Sequence, residues 1–492
     1  MLWRRKPTFV KEVSIGGRVA LCLFALSVLT MPPAALFGQA EREMTASQYA
    51  GVESELVRQL RTNPQNGSLW FLLGVARAQL KETDAAIEAF RKALPLTAEK
   101  APVYFNLGLL YMEKNDPAKA VDAYKPGLAL DPSNVPANQN LAFLLMQQGK
   151  FREAIAPLER LKESSPADVS VRATLIEAYL NTGLKDKAES ETGELLSSHV
   201  VTLPQGLALA KLLAAHQEMD SAQRVFESLK STWPNSAEAH GELGLLLIDK
   251  EQFKEAAKEL KQAVQLDPNS EKYSLGYGEA LLSSEQYPIA LPFLEDAEKR
   301  FESQLEFQYQ LAVTDLGLQR FPEAISGLET LASKKPTSGK VQFLMGGAYE
   351  LEGELQKGED HYRNAIQLAP QEPSSYRALA SLLQKQGPEH LDESIELARK
   401  ALALDPSDAE TKIVLARCLE RQGHLDEAAA LLEQAVASEP ASRRAHTALA
   451  ELYRRQQKLA QAEQEQSIAA NLEEETITKE WTIWGRQTAG AP

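Results

Sequence analysis

The feature that most constrains this chain is a register of small residues. Ala86, Ala120, Ala154, Ala188, Ala222, Ala256, Ala290 and Ala324 are each 34 residues apart. Gly358 continues the series, Ser394 arrives two residues late, and Ala428 and Ala462 resume the spacing. A second small residue recurs twelve positions upstream, as Gly74, Gly108, Ala142, Ala210, Gly244, Gly278, Ala312, Gly346, Ala416 and Ala450. Ile176 breaks this second series, and Ala380 is displaced by the same insertion that delays Ser394. Many units close on proline, among them Pro132, Pro166, Pro234 and Pro268. A fixed period of this length describes an array in which each unit stacks on the next, because none can bury its apolar face alone.

The units are predicted to be helical. Hydrophobic residues make up 44% and charged residues 25% of the 492, the balance of a folded chain, and no long alternating β-branched run occurs. The stretch YFNLGLLY (104–111) is apolar on nearly every helical face yet carries Gly108. Glycine inside a helix costs about 0.5–1 kcal/mol relative to alanine. Two antiparallel helices per unit offset that cost if Gly108 on the first faces Ala120 on the second, so that the axes approach closely. Proline at the end of the second helix stops it and restrains the residue before it.

Trp70, Leu73, Gly74, Ala86 and Phe90 in one unit follow the pattern W-x2-L-G-x2-Y…A-x3-F…P. Tyr104, Leu107, Gly108, Tyr111, Ala120, Tyr124 and Pro132 follow it in the next. The chain therefore resembles the tetratricopeptide repeat family. Twelve units are expected within 67–476: 67–100, 101–134, 135–168, 169–202, 203–236, 237–270, 271–304, 305–338, 339–372, 373–408, 409–442 and 443–476. The resemblance implies an all-α fold, a right-handed superhelical solenoid of helix-turn-helix repeats. Three departures are local. The fourth unit ends on Thr202, the seventh has Tyr277 at the leucine position, and the tenth has extra residues around Gly387-Pro388 that lengthen its internal turn. Residues 41–66 read as an N-terminal capping helix and 477–492 as a C-terminal tail, whose Trp481 and Trp484 cover the open end or dock another protein.

The N-terminus follows a different plan. Basic residues Arg4, Arg5, Lys6, Lys11 and Arg18 precede an apolar run from Val19 to Thr30, then Pro32-Pro33, then Gly38 and Ala40 placed for a cut after Ala40. That is the layout of a secretory signal peptide over 1–40, and the expected destination is periplasmic or secreted. The alternative is an uncleaved membrane anchor, for which a run of twelve residues is short. Cleavage leaves Cys418 as the one cysteine, read as a buried small apolar residue.

A net charge of −15 argues against general affinity for nucleic acid or anionic lipid. No phosphate-binding loop, dinucleotide fingerprint, H-E-x-x-H or paired-cysteine metal motif, or G-x-S-x-G elbow occurs. The seven histidines are scattered over different units. No enzyme activity and no cofactor, metal or small-molecule substrate is expected.

What remains is surface. The resemblance implies that the first helix of each unit lines an inner face that binds extended or helical segments of other proteins, chiefly through positions two, five, six, nine, twelve and thirteen. In units one to three these hold Phe71, Val75, Phe105, Asn106, Leu109, Asn140 and Phe143. Asn106 and Asn140 take equivalent places, an arrangement that resembles the start of the asparagine ladder in O-linked N-acetylglucosamine transferases, with amides paired to a peptide backbone. The ladder has two rungs, since Leu72, Thr174 and Ala208 occupy the next equivalent sites. Units ten to twelve present Arg377, Lys385, Arg417, Arg421, Arg444, Arg454 and Arg455, suited to an acidic segment or chain terminus. Pairing within the helix, as of Arg417 with Glu420, is the competing reading. The family's chaperone-type clamp, lysine at five with asparagine at nine, is absent. The expected function is an exported protein-interaction scaffold. The alternatives are a structural component of envelope assembly held at a membrane by a partner, and a non-catalytic targeting subunit of an envelope glycosyltransferase or protease complex.

Overall fold

The structure, a computed structural model, describes residues 45–198, 200–302 and 304–472. The expected signal segment, His199, Trp481 and Trp484 lie outside the described residues. Among those residues the regular structure is twenty-five α-helices and a short 3-10 turn at Pro388–His390. The chain divides into two compact units on either side of Trp233 and Pro234.

The first unit opens with α1 (Ala46–Thr62), started by a capping box of Thr45 and Gln48. Five helix pairs follow: α2 and α3 (Gly67–Gln79, Thr83–Ala93), α4 and α5 (Lys100–Glu113, Pro117–Leu130), and α6 and α7 (Val135–Gln147, Phe151–Ser164). Then come α8 and α9 (Val169–Asn181, Lys185–Ser197) and α10 and α11 (Leu203–Ala215, Met219–Thr232). Thr202, the last residue of the fourth unit, forms a capping box with Gln205 at the start of α10.

The second unit has seven pairs. They begin with α12 and α13 (Ala237–Asp249, Phe253–Leu266), α14 and α15 (Glu271–Ser283, Tyr287–Arg300), and α16 and α17 (Leu305–Gly317, Phe321–Lys334). Next are α18 and α19 (Gly339–Glu352, Leu355–Leu368) and α20 and α21 (Pro373–Gln386, Leu391–Leu404). The last are α22 and α23 (Ala409–Gln422, Leu425–Ser438) and α24 and α25 (Arg443–Arg455, Leu459–Ala470). Within each unit the two helices of a pair pack on one another and most pairs pack on the next, so the core lies between first and second helices.

The small residues do two different jobs. Ala86, Ala120, Ala154 and Ala256 on the second helices are fully buried. At the equivalent Gly358, an added Cβ would lie 3.1 Å from the carbonyl oxygen of Gly346, so this is where one helix presses on the backbone of the other. At Gly108 the nearest neighbour is a larger side chain. The ring of Tyr124 lies over it, and a Cβ there would sit 2.7 Å from ring carbons. Phe90 covers Gly74, Leu260 covers Gly244 and Tyr362 covers Gly346 in the same way. The glycine makes room for a large side chain sixteen residues later.

The turns repeat too. The residue closing each first helix is left-handed at Lys81, Asn115, Gln217, Glu251, Glu285, Gln319 and Gln457, and at Gly149, Gly183, Gly353 and Gly423. In the tenth pair, Gly387 is extended (φ 160°) and the 3-10 turn takes up the inserted residues. Between pairs, the fourth residue of the first helix ties back to the proline six residues before it. Trp70 Nε1 donates to the Pro64 carbonyl at 2.8 Å, Asn138 Nδ2 to that of Pro132 at 2.8 Å, and Tyr376 Oη to that of Pro370 at 3.2 Å. His240 and His446 place Nε2 3.1 Å from the Pro234 and Pro440 carbonyls, with Nδ1 against Glu259 and Glu465. Two of the scattered histidines thus have a structural task.

Candidate functional site

The first helices carry the inward positions, and the structure sorts them into packed, paired and accessible. In the first unit, Phe71 is half-buried and its ring lies 5.6 Å from that of Phe90. Phe105 is half-buried over Gly127, where an added Cβ would sit 2.6 Å from its ring. Leu109 and Phe143 are also half-buried, whereas Val75 is in the core.

The two asparagines part company. Asn106 is half-buried, and its Nδ2 donates to the carbonyl of Pro102 at 2.7 Å, one turn back in its own helix. Asn140 is 4% exposed, and its Nδ2 donates to Tyr124 Oη at 2.9 Å. Two rungs open to a peptide backbone therefore do not exist. The physical reason is Tyr124: once its ring lies across Gly108 its hydroxyl is buried, and Asn140 supplies the partner that hydroxyl needs.

The basic positions of the second unit form a ladder between neighbouring repeats. Lys385 Nζ lies 2.8 Å from Glu350 Oε1, and Arg455 Nη1 lies 2.6 Å from Glu420 Oε1. In both, the thirteenth residue of one repeat reaches the twelfth of the repeat before. Arg421 occupies the same place, but there the twelfth residue is Gln384, and the guanidinium donates to its backbone carbonyl near the end of α20. Arg377 pairs with Asp408 at 2.6 Å and Arg444 with Glu410 at 2.8 Å. Arg454 donates to Gln466 Oε1 at 2.9 Å. Glu420 is thus taken by Arg455 of the next repeat, not by Arg417 of its own helix. Arg417, half-buried, is the candidate cation with no ion-pair or hydrogen-bond partner among the described residues.

Sequence reasoning passed over repeats eight and nine, which hold two further residues at inward positions. Tyr309 is buried, and Lys340 Nζ lies 3.7 Å from the centre of its ring. Burial depresses the Lys340 pKa below the usual lysine value, against the opposing pull of Glu306 at 3.8 Å. A signal was present: Lys340 and Tyr309 fall at positions two and five. Among the described residues no group of three His, Cys, Asp or Glu side chains is placed to hold a metal ion. No helix among them is long and apolar enough to cross a membrane.

Geometry of this kind, helix pairs at a 34-residue period with glycine under an aromatic ring, defines a helical-repeat protein. The chain belongs to the tetratricopeptide repeat family. A family model described as the cytochrome c-type biogenesis protein H TPR domain matches residues 34–172. Two general tetratricopeptide models match 207–271 and 246–304, and 389–452 and 421–465. A homologue of the BBSome complex member BBS4 from Drosophila melanogaster is 26% identical over 187 residues, 37% of this chain and 38% of the relative, so the match spans little more than a third of that protein. Among solved structures, yeast Tom70 is 18% identical with a TM-score of 0.40, over 82% of this chain and 95% of that one. A chain of the structure of Naa15/Naa10 bound to HypK-THB is 17% identical with a TM-score of 0.41, over 86% of this chain and 68% of that one.

Proposed function

We propose that this protein is an exported interaction scaffold that binds segments of other proteins along the face made by the first helices of its repeats. The observation that carries this reading is the division of labour on those helices. One set of side chains is sealed in the inter-helix core, while Phe71, Phe105, Leu109, Phe143 and Arg417 stay partly accessible at regularly spaced positions. A preformed surface of this kind binds without paying for its own ordering. Arg417 is the strongest single candidate for an acidic partner group, because its neighbours in the ladder are already engaged within the fold, two by carboxylates and Arg421 by a backbone carbonyl. Export rests on the N-terminal sequence alone.

A second reading, a structural component of envelope assembly, is favoured by the family model matched at 34–172, which describes a domain of a cytochrome c-type biogenesis protein. The test for both is crosslinking and affinity capture from the native cell envelope, comparing wild type with Arg417→Glu and with Phe105→Ala/Asn106→Ala. Loss of one specific partner with unchanged helical circular dichroism supports the scaffold reading, and the partner's identity decides between the two. Retention of every partner by both variants removes this face from consideration.

A further inference from the structure

A cavity of about 320 Å³ opens in the second unit where α16, α17 and α18 meet the turn that precedes α20. Its walls are the side chains of Leu305, Leu331, Val341 and Ala369 and the region of Tyr309. Lys340 lies over the Tyr309 ring, and its side chain is 15% exposed. The remaining charges differ in how they are occupied. Glu306 faces Lys340, and Glu372 caps α20, accepting from Ser374 N at 3.4 Å and Ser374 Oγ at 2.6 Å. Ser338 is likewise engaged, capping α18 through Val341 N. Lys335 is exposed at the rim, and its ammonium has no ion-pair or hydrogen-bond partner among the described residues.

We propose that this cavity is an anchor pocket for a partner protein segment that inserts one large apolar side chain and carries an acidic residue beside it. The inference rests on the scaffold reading above and names the partner chemistry of one place on it. The volume is at the lower end of ligand pockets, enough for a leucine or an aromatic side chain but not for a folded element. Apolar walls reward such a side chain by removing it and themselves from water. A simple anion would leave those walls facing solvent and would have to compete with Glu306 for Lys340. A purely apolar ligand would leave Lys335 unused. The two features together fit an apolar anchor with a flanking carboxylate, which pairs with Lys335 at the rim and sets the register of the segment.

The test is random-peptide phage selection on the purified full chain, run in parallel on Lys335→Glu and on Ala369→Leu, whose larger side chain narrows the cavity. The expected result has three parts. Wild type enriches peptides with a large apolar residue next to Asp or Glu, Ala369→Leu loses them at least tenfold, and Lys335→Glu exchanges the acidic preference for a basic one. Melting temperatures of both variants are read alongside. Lys335 is exposed, so the charge-reversal arm stands even if Ala369→Leu disturbs packing. Enriched peptides of another composition, or peptides that bind both variants as well as wild type, overturn the pocket and leave the scaffold reading in place. Enrichment of no peptide above a helical control protein overturns both.

Discussion

At the scale of single residues, the central device is volume exchange between the eighth and twenty-fourth positions of a repeat. Where the eighth is glycine, the twenty-fourth is Phe90, Tyr124, Leu260, Leu294 or Tyr362. In the fourth repeat the bulk changes sides: Ile176 is fully buried and its counterpart is Thr192, also buried. Gly108→Ala is therefore expected to destabilise, although alanine is the better helix former by about 0.8–1 kcal/mol. The methyl group has nowhere to go beside Tyr124, and overpacking costs about 1–3 kcal/mol. Ile176→Gly should cost about 2–5 kcal/mol, and adding Thr192→Tyr should recover part of it. Urea unfolding of the three variants measures both effects, and a double variant no better than Ile176→Gly would refute the exchange.

Asp315 is the other residue with a measurable signature. It is 6% exposed, its Oδ1 has no hydrogen-bond partner, and Arg320 Nη1 lies 3.3 Å away without completing one. Burial raises its pKa to about 6, Arg320 opposes, and Glu323 and Glu295 add to the rise. The unfolded chain holds this carboxyl near 3.8, so the folded state prefers the proton. Stability from this group is present below about pH 4 and is lost as pH rises through about 6. Asp315→Asn should thus stabilise the second unit at pH 7.5, by about 1–3 kcal/mol, and much less at pH 4. Thermal melts at the two pH values check the sign; an equal shift at both would rule this account out.

At the scale of elements, the turn inside every pair but the tenth holds one residue in the left-handed region, which only four repeats fill with glycine. A side chain there costs about 1–2 kcal/mol, reduced by the lower entropy of a non-glycine in the unfolded chain. Glu251→Gly (φ 58°, exposed) is expected to raise stability by about 0.5–1 kcal/mol, and Gly183→Ala (φ 74°) to lower it by a similar amount. Chemical denaturation of the pair tests this, and the two effects must have opposite signs. The element scale also explains why the basic residues misled a reading by charge alone. Helical spacing puts position thirteen of one repeat beside position twelve of the last, so Lys385 and Arg455 meet carboxylates of the fold before any partner arrives.

At the scale of the whole molecule, a pair within each compact unit touches only nearby pairs, so disturbance should stay local. Hydrogen exchange on Ile176→Gly is expected to accelerate through α6 to α11 while α20 to α25 keep their wild-type protection. Uniform loss of protection would mean that the chain unfolds as one cooperative body.

Much of this was legible in the sequence, because a repeat writes the same local problem many times. The period, the helical class and the family follow from Ala86 to Ala462 and from the glycine–aromatic spacing, since the forces involved act within one unit and its neighbour. The pocket beside Lys340 and the fate of the asparagines were not legible. Position labels place Asn106 and Asn140 on one face alike, yet only packing decides that Tyr124 turns its hydroxyl towards Asn140 and takes that amide out of reach. Likewise the sequence marks Arg377, Lys385, Arg417, Arg421 and Arg455 as equals. The tertiary structure pairs Arg377, Lys385 and Arg455 with carboxylates, ties Arg421 to a backbone carbonyl and leaves Arg417 open, because pairing depends on which group lies about 3 Å away in the next repeat. Periodicity along the chain sets which residues recur; contact between repeats sets which of them remain available.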